Sequence, residues 1–550
     1  MPHRLYISDY EPVTRVKSST SPGDHESTLE NGFDRRREDW DPVAQVDSLF
    51  ETDEQPIAGN EFTQAATHQR ESATRIPEKH VPKAQQQGKS DLTALPPPAQ
   101  PTTTTMSGGP QAEKWLVKRG HSLSFAGLFV FTFILYYRPY EHFSALSSLT
   151  SMAFWTALLT LAVFLPTQLA LEGTPTARPR EVNLVLLLAL TALLSIPLAI
   201  SPGEAWKAFV DPFVKAVLMF LVIVNTVRTE RRLKWLMSLG LSVGCVLSAA
   251  ALNNYRLGNL TVEGYRVEGS IGNLFGNPND MAIHLVTMLP IAVALMFSTN
   301  GLHRRLFYGA CAVLLIGGTV VTFSRGGFLG LAGGTLVLMW KIGRRNRPSM
   351  VLLMLFGITA FFVLAPGNYY NRLFSIYDNS RDLVGSATAR QQLLFRSIIV
   401  AVRHPLFGVG MGNFHIVSIR EAVSHNAYTQ VAAEIGMTAM VLYTMFIVTP
   451  IRRLRRIERE MFTARQSSRF YYLAIGLQAS LIAYMISSFF GSVAYQWYVY
   501  YLVGYAVALR RIYQASSEAL ADANLATAQV PPTARKYARA RSLTRERPGR

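Results

Sequence analysis

The stretch "EVNLVLLLALTALLSIPLAI" (181–200) is mostly apolar and contains no charged residue after Glu181. An apolar run of this length is typical of an α-helix that crosses a bilayer, because the hydrocarbon core requires about 20 residues of helix. Similar blocks of about 17–25 residues recur from Ser122 to Tyr513. A transmembrane β-barrel would show shorter segments of alternating polarity. The sequence therefore predicts an all-α, polytopic membrane protein.

The apolar blocks predict about twelve transmembrane helices. The block from Leu306 to Lys341 is too long for one crossing, because a helix rises about 1.5 Å per residue. It holds either two short helices or one long broken helix, and "SRGG" (324–327) is the natural break. The predicted spans are 123–137, 147–170, 182–200, 208–226, 234–252, 280–298, 306–323, 326–341, 349–365, 426–450, 470–490 and 493–510.

The Lys and Arg residues of the short connections form two alternating sets, which indicate the orientation of the spans. One set is strongly basic and ends with "RRLRRIERE" (452–460), whereas the other set carries few cations. Because cytoplasmic connections hold the excess of Lys and Arg, the basic set and both termini are predicted to be cytoplasmic. The long loop 366–425 then lies outside and is the expected location of function.

Two tails flank the predicted membrane domain of residues 113–513. Residues 1–112 lack a long apolar run and are predicted to be a disordered cytoplasmic tail without a cleavable signal peptide. Residues 514–550 are predicted to be a basic cytoplasmic tail. The net charge of +18 fits the positive-inside bias better than nucleic-acid binding, because the cations are scattered among short connections.

Charged residues at membrane depth are candidates for function, because each costs at least about 2.5–3.5 kcal/mol at a helix centre. Arg325 lies beside two glycines near the external ends of two spans, far in sequence from any acidic residue. Its planar cation is suited to a phosphate or carboxylate, although an arginine at this depth can also reach the headgroups. Arg266 is either a second ligand of that kind or an exposed loop residue, and Lys215 either lines a site or reaches the headgroups.

The stretch "EAVSHNAYTQVAAEIG" (421–436) places a titratable side chain at the external end of a predicted span. Asn426, Gln430 and Glu434 follow His425 at i, i+4 and i+8, and this spacing drifts by only about 40° per step on a helix. Such a polar stripe faces a water-filled cavity or a polar partner rather than lipid. His425 can act as a general base, because imidazole titrates near neutral pH; the alternative is a solvent-exposed histidine.

The external loop is predicted to contain a helix, "SATARQQLLFRSIIVAVRHP" (386–405), whose apolar residues recur at helical spacing. Arg390, Arg396 and Arg403 are interspersed among them. The helix either lies in the membrane interface near lipid phosphates or packs on the membrane domain. The following "HPLFGVGMGNF" (404–414) contains three glycines that allow a tight turn or a close approach of backbone to a ligand.

The sequence shows no metal-binding or nucleotide-binding motif, and its two cysteines, Cys245 and Cys311, lie inside apolar blocks. It also lacks the GxSxG motif of an activated serine. Several arginines with one histidine suit a substrate that already carries an anionic leaving group, such as a lipid diphosphate. The arginines would neutralise the developing charge while the base deprotonates an acceptor hydroxyl. No metal or cofactor is therefore expected.

Four motifs occur in the order found in the O-antigen ligase and O-antigen polymerase superfamily of bacterial membrane proteins, which this sequence resembles from about Ser122 to Tyr513. They are "RVEGSIGNLFGNPNDMA", "TFSRGGFLGL", "HPLFGVGMGNFH" and "SHNAYTQVAAEIGM". The resemblance implies an inner-membrane fold like that of C-type glycosyltransferases, with a large periplasmic loop before the helix that carries His425 and Asn426. It also implies transfer of a glycan from undecaprenyl diphosphate to an acceptor hydroxyl, without metal or nucleotide.

The resemblance also implies roles for particular residues. Arg266 and Arg325 match the arginines that hold the diphosphate, and His425 matches the histidine that serves as base. Tyr428 and Gln430 fall in the same motif, together with Asn426, and Arg390 is the loop arginine that matches best.

Two other activities remain open beside the ligase. A polymerase would use the same donor with a second lipid-linked glycan as acceptor, but the short 253–279 loop, which carries only Arg256 and Arg266, favours a ligase. A glycan or anion transporter is the third candidate, although the sequence shows one broken element near Arg325 and no matching partner in the other half.

Overall fold

The computed structural model of the chain describes residues 121–142, 151–262, 265–271, 274–345, 347–364, 386–464 and 469–529. The predicted N-terminal tail (1–112), the first part of the predicted external loop (366–385) and the end of the chain (530–550) lie outside these residues. The described part is mostly α-helical, and these ranges contain no β-strand.

The longer helices are numbered α1 to α15 in chain order. A π-helical segment, Phe209–Val214, joins α4 to α5. The bounds are α1 Ser122–Tyr137, α2 Met152–Glu172, α3 Arg180–Ser195, α4 Pro202–Ala208, α5 Lys215–Thr226, α6 Glu230–Arg256, α7 Pro278–Ser298, α8 Leu302–Val321, α9 Arg325–Ile342, α10 Arg347–Leu364, α11 Ser386–Arg403, α12 Ala427–Glu434, α13 Met437–Thr463, α14 Arg469–Ser487 and α15 Trp497–Gln529.

In the described part of the chain, 8 helical segments are long and apolar enough to cross a membrane. The prediction of a multi-span helical membrane protein is therefore confirmed, whereas the predicted number of about twelve spans is not. These segments are Ser122–Glu141, Met152–Glu172, Arg180–Leu198, Pro202–Thr226, Glu230–Arg256, Pro278–Ser298, Leu302–Val321 and Arg469–Phe490.

Two predicted helix boundaries have different outcomes. The block 306–341 is two helices, because α8 ends at Val321 and α9 starts at Arg325, next to the predicted break. The single span predicted over 426–450 is wrong. The helix is interrupted at Gly436. The φ of Gly436 is 106°, which is unfavourable for other residues, and a Cβ at this position would collide with the backbone of Leu406. Helices α12 and α13 are therefore separate.

Helix α7 lies at the centre of the bundle and is buried along most of its length. It packs against α14, α9 and α8. Small residues allow this close packing, since a Cβ at Gly476 of α14 would collide with Ala294 of α7, and a Cβ at Gly330 of α9 would collide with Ser487 of α14. This packing holds the start of α9 next to the end of α14.

Buried ion pairs hold several of the basic connections together at one end of the helix bundle. Glu458 of α13 binds Lys341 at the end of α9, and its second oxygen lies 2.9 Å from Arg344. Glu181 at the start of α3 pairs with Arg510 of α15 at 2.7 Å. These connections belong to the set that the charge pattern predicts on one side of the membrane, so their shared position agrees with that pattern.

We expect Glu458→Ala to lower the free energy of unfolding by about 3–5 kcal/mol, because it leaves the buried Lys341 cation without its carboxylate. Denaturation of the purified protein in micelles measures this change. The matched control is Arg456→Ala, which removes an exposed i,i+4 pair with Glu460 and should cost at most about 0.5 kcal/mol. Equal losses for both variants would contradict the structural role of the buried pair.

Candidate active site

Three helices begin near one another, and each has a polar residue at its N-cap. Asn277, Ser324 and Asn426 precede α7, α9 and α12, and each side chain accepts a hydrogen bond from a backbone N–H of the first turn. Such caps satisfy amides that the helix itself leaves unpaired. The start of a helix carries a partial positive charge, so these three starts favour a bound anion.

Arg266 joins the loop before α7 to the segment just before α9. Its side chain is 3% exposed, its Nε donates to the carbonyl of Thr322 at 2.9 Å, and its Nη2 donates to Oδ1 of Asn279 at 2.9 Å. The same oxygen of Asn279 accepts a hydrogen bond from Ser324 at 2.8 Å. Arg266 is therefore not an exposed loop residue. Asn279 links it to Ser324, the N-cap residue that precedes Arg325.

Arg325 is the first residue of α9 and is 8% exposed. The start of α9 rests on the turn after α14, because Ser487 donates to the carbonyl of Gly326 at 3.1 Å and a Cβ at Gly326 would lie 2.7 Å from the Cβ of Phe490. The guanidinium is thus held in a buried position at the start of a helix. Headgroup contact, the alternative considered for Arg325, does not fit this burial.

The turn after α14 also holds the residues around His425. Ser492 accepts a hydrogen bond from the backbone N–H of His425 at 2.9 Å, and Ser488 donates to the hydroxyl of Tyr428 at 3.4 Å. Ser487 is the last residue of α14, and the turn that follows it extends to Ser492. The segment Ser487–Ser492 contacts both the start of α9 and the start of α12, so it holds the segments of Arg325 and His425 close together. Arg266 thus bonds directly to the segment before Arg325, whereas the segments of Arg325 and His425 are linked indirectly, because both bond to Ser487–Ser492.

His425 has an unusual backbone and a neutral side chain. Its φ is 51°, and Phe323 before the start of α9 has a φ of 50°. A left-handed conformation costs of order 1–3 kcal/mol in such residues, so the surrounding contacts must hold it. Burial, and less strongly the charge of Arg390, lower the pKa of His425 from 6.5 to about 4. The imidazole is therefore neutral at neutral pH and can accept a proton.

Arg390 lies near His425, since its charge acts on the imidazole. It belongs to α11, whose predicted helical structure is confirmed. Helix α11 packs on α12 through a buried Ser397, which donates to Thr429 at 2.8 Å. The prediction that this helix packs on the membrane domain is thereby confirmed for one of its faces.

In the polar stripe of α12, some polar atoms make hydrogen bonds that hold the helix in place, and others have no hydrogen-bond partner among the described residues. Asn426 caps the helix, while its Nδ2 and the Oε1 of Gln430 have no hydrogen-bond partner among the described residues. Tyr428 donates to the carbonyl of Met485 at 3.1 Å and so anchors α12 on α14. Glu434 accepts a hydrogen bond from Tyr495 at 2.7 Å, which confirms a polar partner for that residue.

Lys215 lies apart from this cluster in the contacts that the structure describes. Its Nζ is 2.6 Å from Oδ2 of Asp211, in an i,i+4 pair on a partly exposed surface. This pair accounts for the charge, and a substrate-binding role for Lys215 stays a prediction. Among the described residues no group of three or more His, Cys, Asp or Glu side chains is placed to hold a metal ion.

The glycine loop, residues 408–412, approaches protein backbone rather than an open cleft. Gly408 packs against the backbone of Glu434, and Gly410 packs against Ala199. The N–H of Gly410 donates to the carbonyl of Glu434 at 2.9 Å, and the carboxylate of Glu434 accepts the N–H groups of Gly412 and Phe414. Glu434 therefore fixes this loop to the end of α12.

Two residues in the cluster have no clear signal in the sequence. Asn277 caps α7, and Asn279, two residues later, bridges Arg266 and Ser324. Ser492 lies in an ordinary turn, and its contact with His425 joins residues that are 67 positions apart. A single sequence carries no pattern that reveals such long-range pairs.

We expect Glu434→Ala to lower the free energy of unfolding by about 3 kcal/mol or more, because it leaves the Tyr495 hydroxyl and two loop amides without their acceptor. Glu434→Gln keeps one carbonyl oxygen and should lose less. Denaturation in micelles measures both losses, and hydrogen exchange at Gly412 and Phe414 should accelerate in step with them. Unchanged exchange in Glu434→Ala would contradict the anchoring role.

Residues 310–444 match the family model of the O-antigen ligases. The matched region includes Arg325, Arg390 and His425, whereas Arg266 and Lys215 lie before it. A search of curated proteins finds no match.

One solved structure that matches is described as "Structural coordination of polymerization and crosslinking by a peptidoglycan synthase complex". It shares 16% identity at a TM-score of 0.35, and the match covers 60% of this chain and 96% of that chain. A likeness at this level carries no weight for function. The family match, in contrast, confirms the predicted resemblance to the O-antigen ligases over residues 310–444.

Proposed function

We propose that this protein transfers a glycan from undecaprenyl diphosphate to an acceptor hydroxyl on the external, periplasmic face of the bacterial inner membrane. The observation that carries the proposal is the hydrogen-bonded link of the Arg266, Arg325 and His425 segments through Asn279 and through the segment Ser487–Ser492. The match of residues 310–444 to the O-antigen ligases supports a glycan-transfer reaction.

The proposed site combines fixed cations with a neutral base. Arg325 and Arg390 neutralise the charge that develops on the diphosphate, and the N-terminus of α9 adds its partial positive charge. Arg266 fixes the segment before Arg325 and adds a further cation. His425 is neutral in the free protein, because its pKa is about 4, so the proton acceptor is ready before the substrates bind.

In the proposed step, the acceptor oxygen attacks the anomeric carbon of the glycan and forms the new bond. The bond between that carbon and the diphosphate oxygen breaks, and its electron pair stays on the diphosphate. The hydroxyl proton passes to His425 and is then released to water. Attack opposite the leaving group inverts the anomeric configuration.

We expect His425→Ala to lower kcat by about 10²–10⁴-fold, the usual contribution of a general base. Arg325→Ala should lower it by about 10²–10³-fold, and Arg325→Lys should restore only part of the loss, because lysine lacks the bidentate geometry. The assay uses purified protein in proteoliposomes with a lipid-diphosphate-linked glycan and a candidate acceptor.

The matched control for this assay is Arg256→Ala, which removes an exposed arginine of the same predicted external side and should keep its activity. Full transfer by both His425→Ala and Arg325→Ala would contradict the site. Product length separates the two activities: a ladder of repeat units from protein and donor alone would identify a polymerase, whereas single transfer to the acceptor fits a ligase.

The acid limb of kcat/KM should lie near pH 4 rather than near the usual histidine pKa of 6.5, because the free protein protonates His425 only there. Arg390→Gln removes a charge that lowers this pKa, so the limb should move to higher pH. The measurement is the pH profile of kcat/KM for both proteins. A limb that stays in place in Arg390→Gln would contradict the proposed contact between the two residues.

A further inference from the structure

Helix α11 has an exposed apolar stripe on the face opposite α12. Its members are spaced at i, i+3, i+4 and i+7, which is one side of a helix. Phe395 is 57% exposed and Val402 is 68% exposed, and nothing in the described part of the chain covers either side chain. The stripe consists of Phe395, Ile398, Ile399 and Val402, and the exposed Leu406 follows in the turn after α11.

The opposite face of α11 is already occupied. Leu393, Val400 and Ala401 are buried in a small core with residues of the glycine loop and α12. Packing among the described residues therefore does not explain the exposed stripe, which would cost free energy if it faced water.

The C-terminal end of the stripe lies beside the start of α13 and the end of one candidate membrane span. The carbonyl of Pro405 accepts a hydrogen bond from Met437, the first residue of α13, at 2.8 Å. The N–H of Ile200, just after the span Arg180–Leu198, donates to the carbonyl of Val409 at 3.0 Å. The stripe is thus continuous with the external edge of the apolar bundle, on the topology that the basic connections predict.

The charge around the stripe suits a surface of phosphates. No Asp or Glu occurs between Asp382 and Glu421, whereas one flank of the stripe carries the exposed Arg403 and the partly buried Arg396, whose Nε donates to the carbonyl of Val417 at 2.8 Å. An apolar stripe bordered by arginines is the pattern of a helix that lies in the headgroup region of a bilayer.

We propose that α11 lies in the external membrane interface, with its stripe inserted among the lipids and its other face packed on α12. The bilayer is the partner that the stripe, its flanking arginines and its position favour over a second protein. This inference does not depend on the proposed glycan transfer. It gives α11 a second role beside carrying Arg390, because the lipid surface then fixes the position of this helix along the membrane normal.

Spin labels at the stripe positions test the proposal in the full chain, with Cys245 and Cys311 replaced by alanine. The protein is placed in vesicles of phosphatidylethanolamine and phosphatidylglycerol, and collision with oxygen and with a water-soluble nickel chelate is measured. Leu159, exposed on the span Met152–Glu172, provides the lipid-facing reference, and exposed Glu421 provides the water-facing reference.

Labels at Phe395, Ile398 and Val402 should collide with oxygen as often as the label at Leu159 and avoid the nickel chelate. Collision with the chelate as at Glu421 would overturn the proposal, because the stripe would then face water. Protection from both reagents would also overturn it, because another protein surface would then cover the stripe. Each stripe position is measured separately, so a misfolded variant at one position leaves the other positions as tests.

Discussion

The polar groups at the buried starts of α7, α9 and α12 must find their hydrogen bonds inside the protein, because little water reaches them. The turn Ser487–Ser492 supplies several of these partners and connects α9 to the segment of His425. Asn279 connects α9 to the loop of Arg266 in the same way. Three segments that are far apart in sequence are therefore held together by the need to satisfy buried polar atoms.

This constraint also shapes the chemistry that the cluster can perform. Arg266 and Arg325 are costly to bury. Arg325 lies at the start of a helix, where an anion is attracted, and Arg266 bonds to the segment just before it. His425 is neutral because burial and Arg390 disfavour its charged form. A fixed set of cations beside a neutral base is an arrangement that changes little when charge moves from acceptor to leaving group, which is the condition for electrostatic catalysis.

The sequence predicted the membrane character, the break near "SRGG" and the helix that became α11, because each of these depends on local length, spacing or turn residues. It failed at Gly436, where a continuous apolar pattern hides a break that depends on the distant backbone of Leu406. The motifs also identified His425 and Arg325, but not the contacts that join them. Asn279 and Ser492 could not be found, because their partners lie elsewhere in the chain.

The central claim is that one anion site lies between the segments of Arg266, Arg325 and His425. An experimental structure of the full chain in a lipid nanodisc with undecaprenyl diphosphate tests it most directly. We expect the diphosphate within hydrogen-bond distance of the Arg325 guanidinium, with His425 no farther than one bridging water from the terminal phosphate. A diphosphate bound elsewhere, with this cluster closed around its own side chains, would contradict the account.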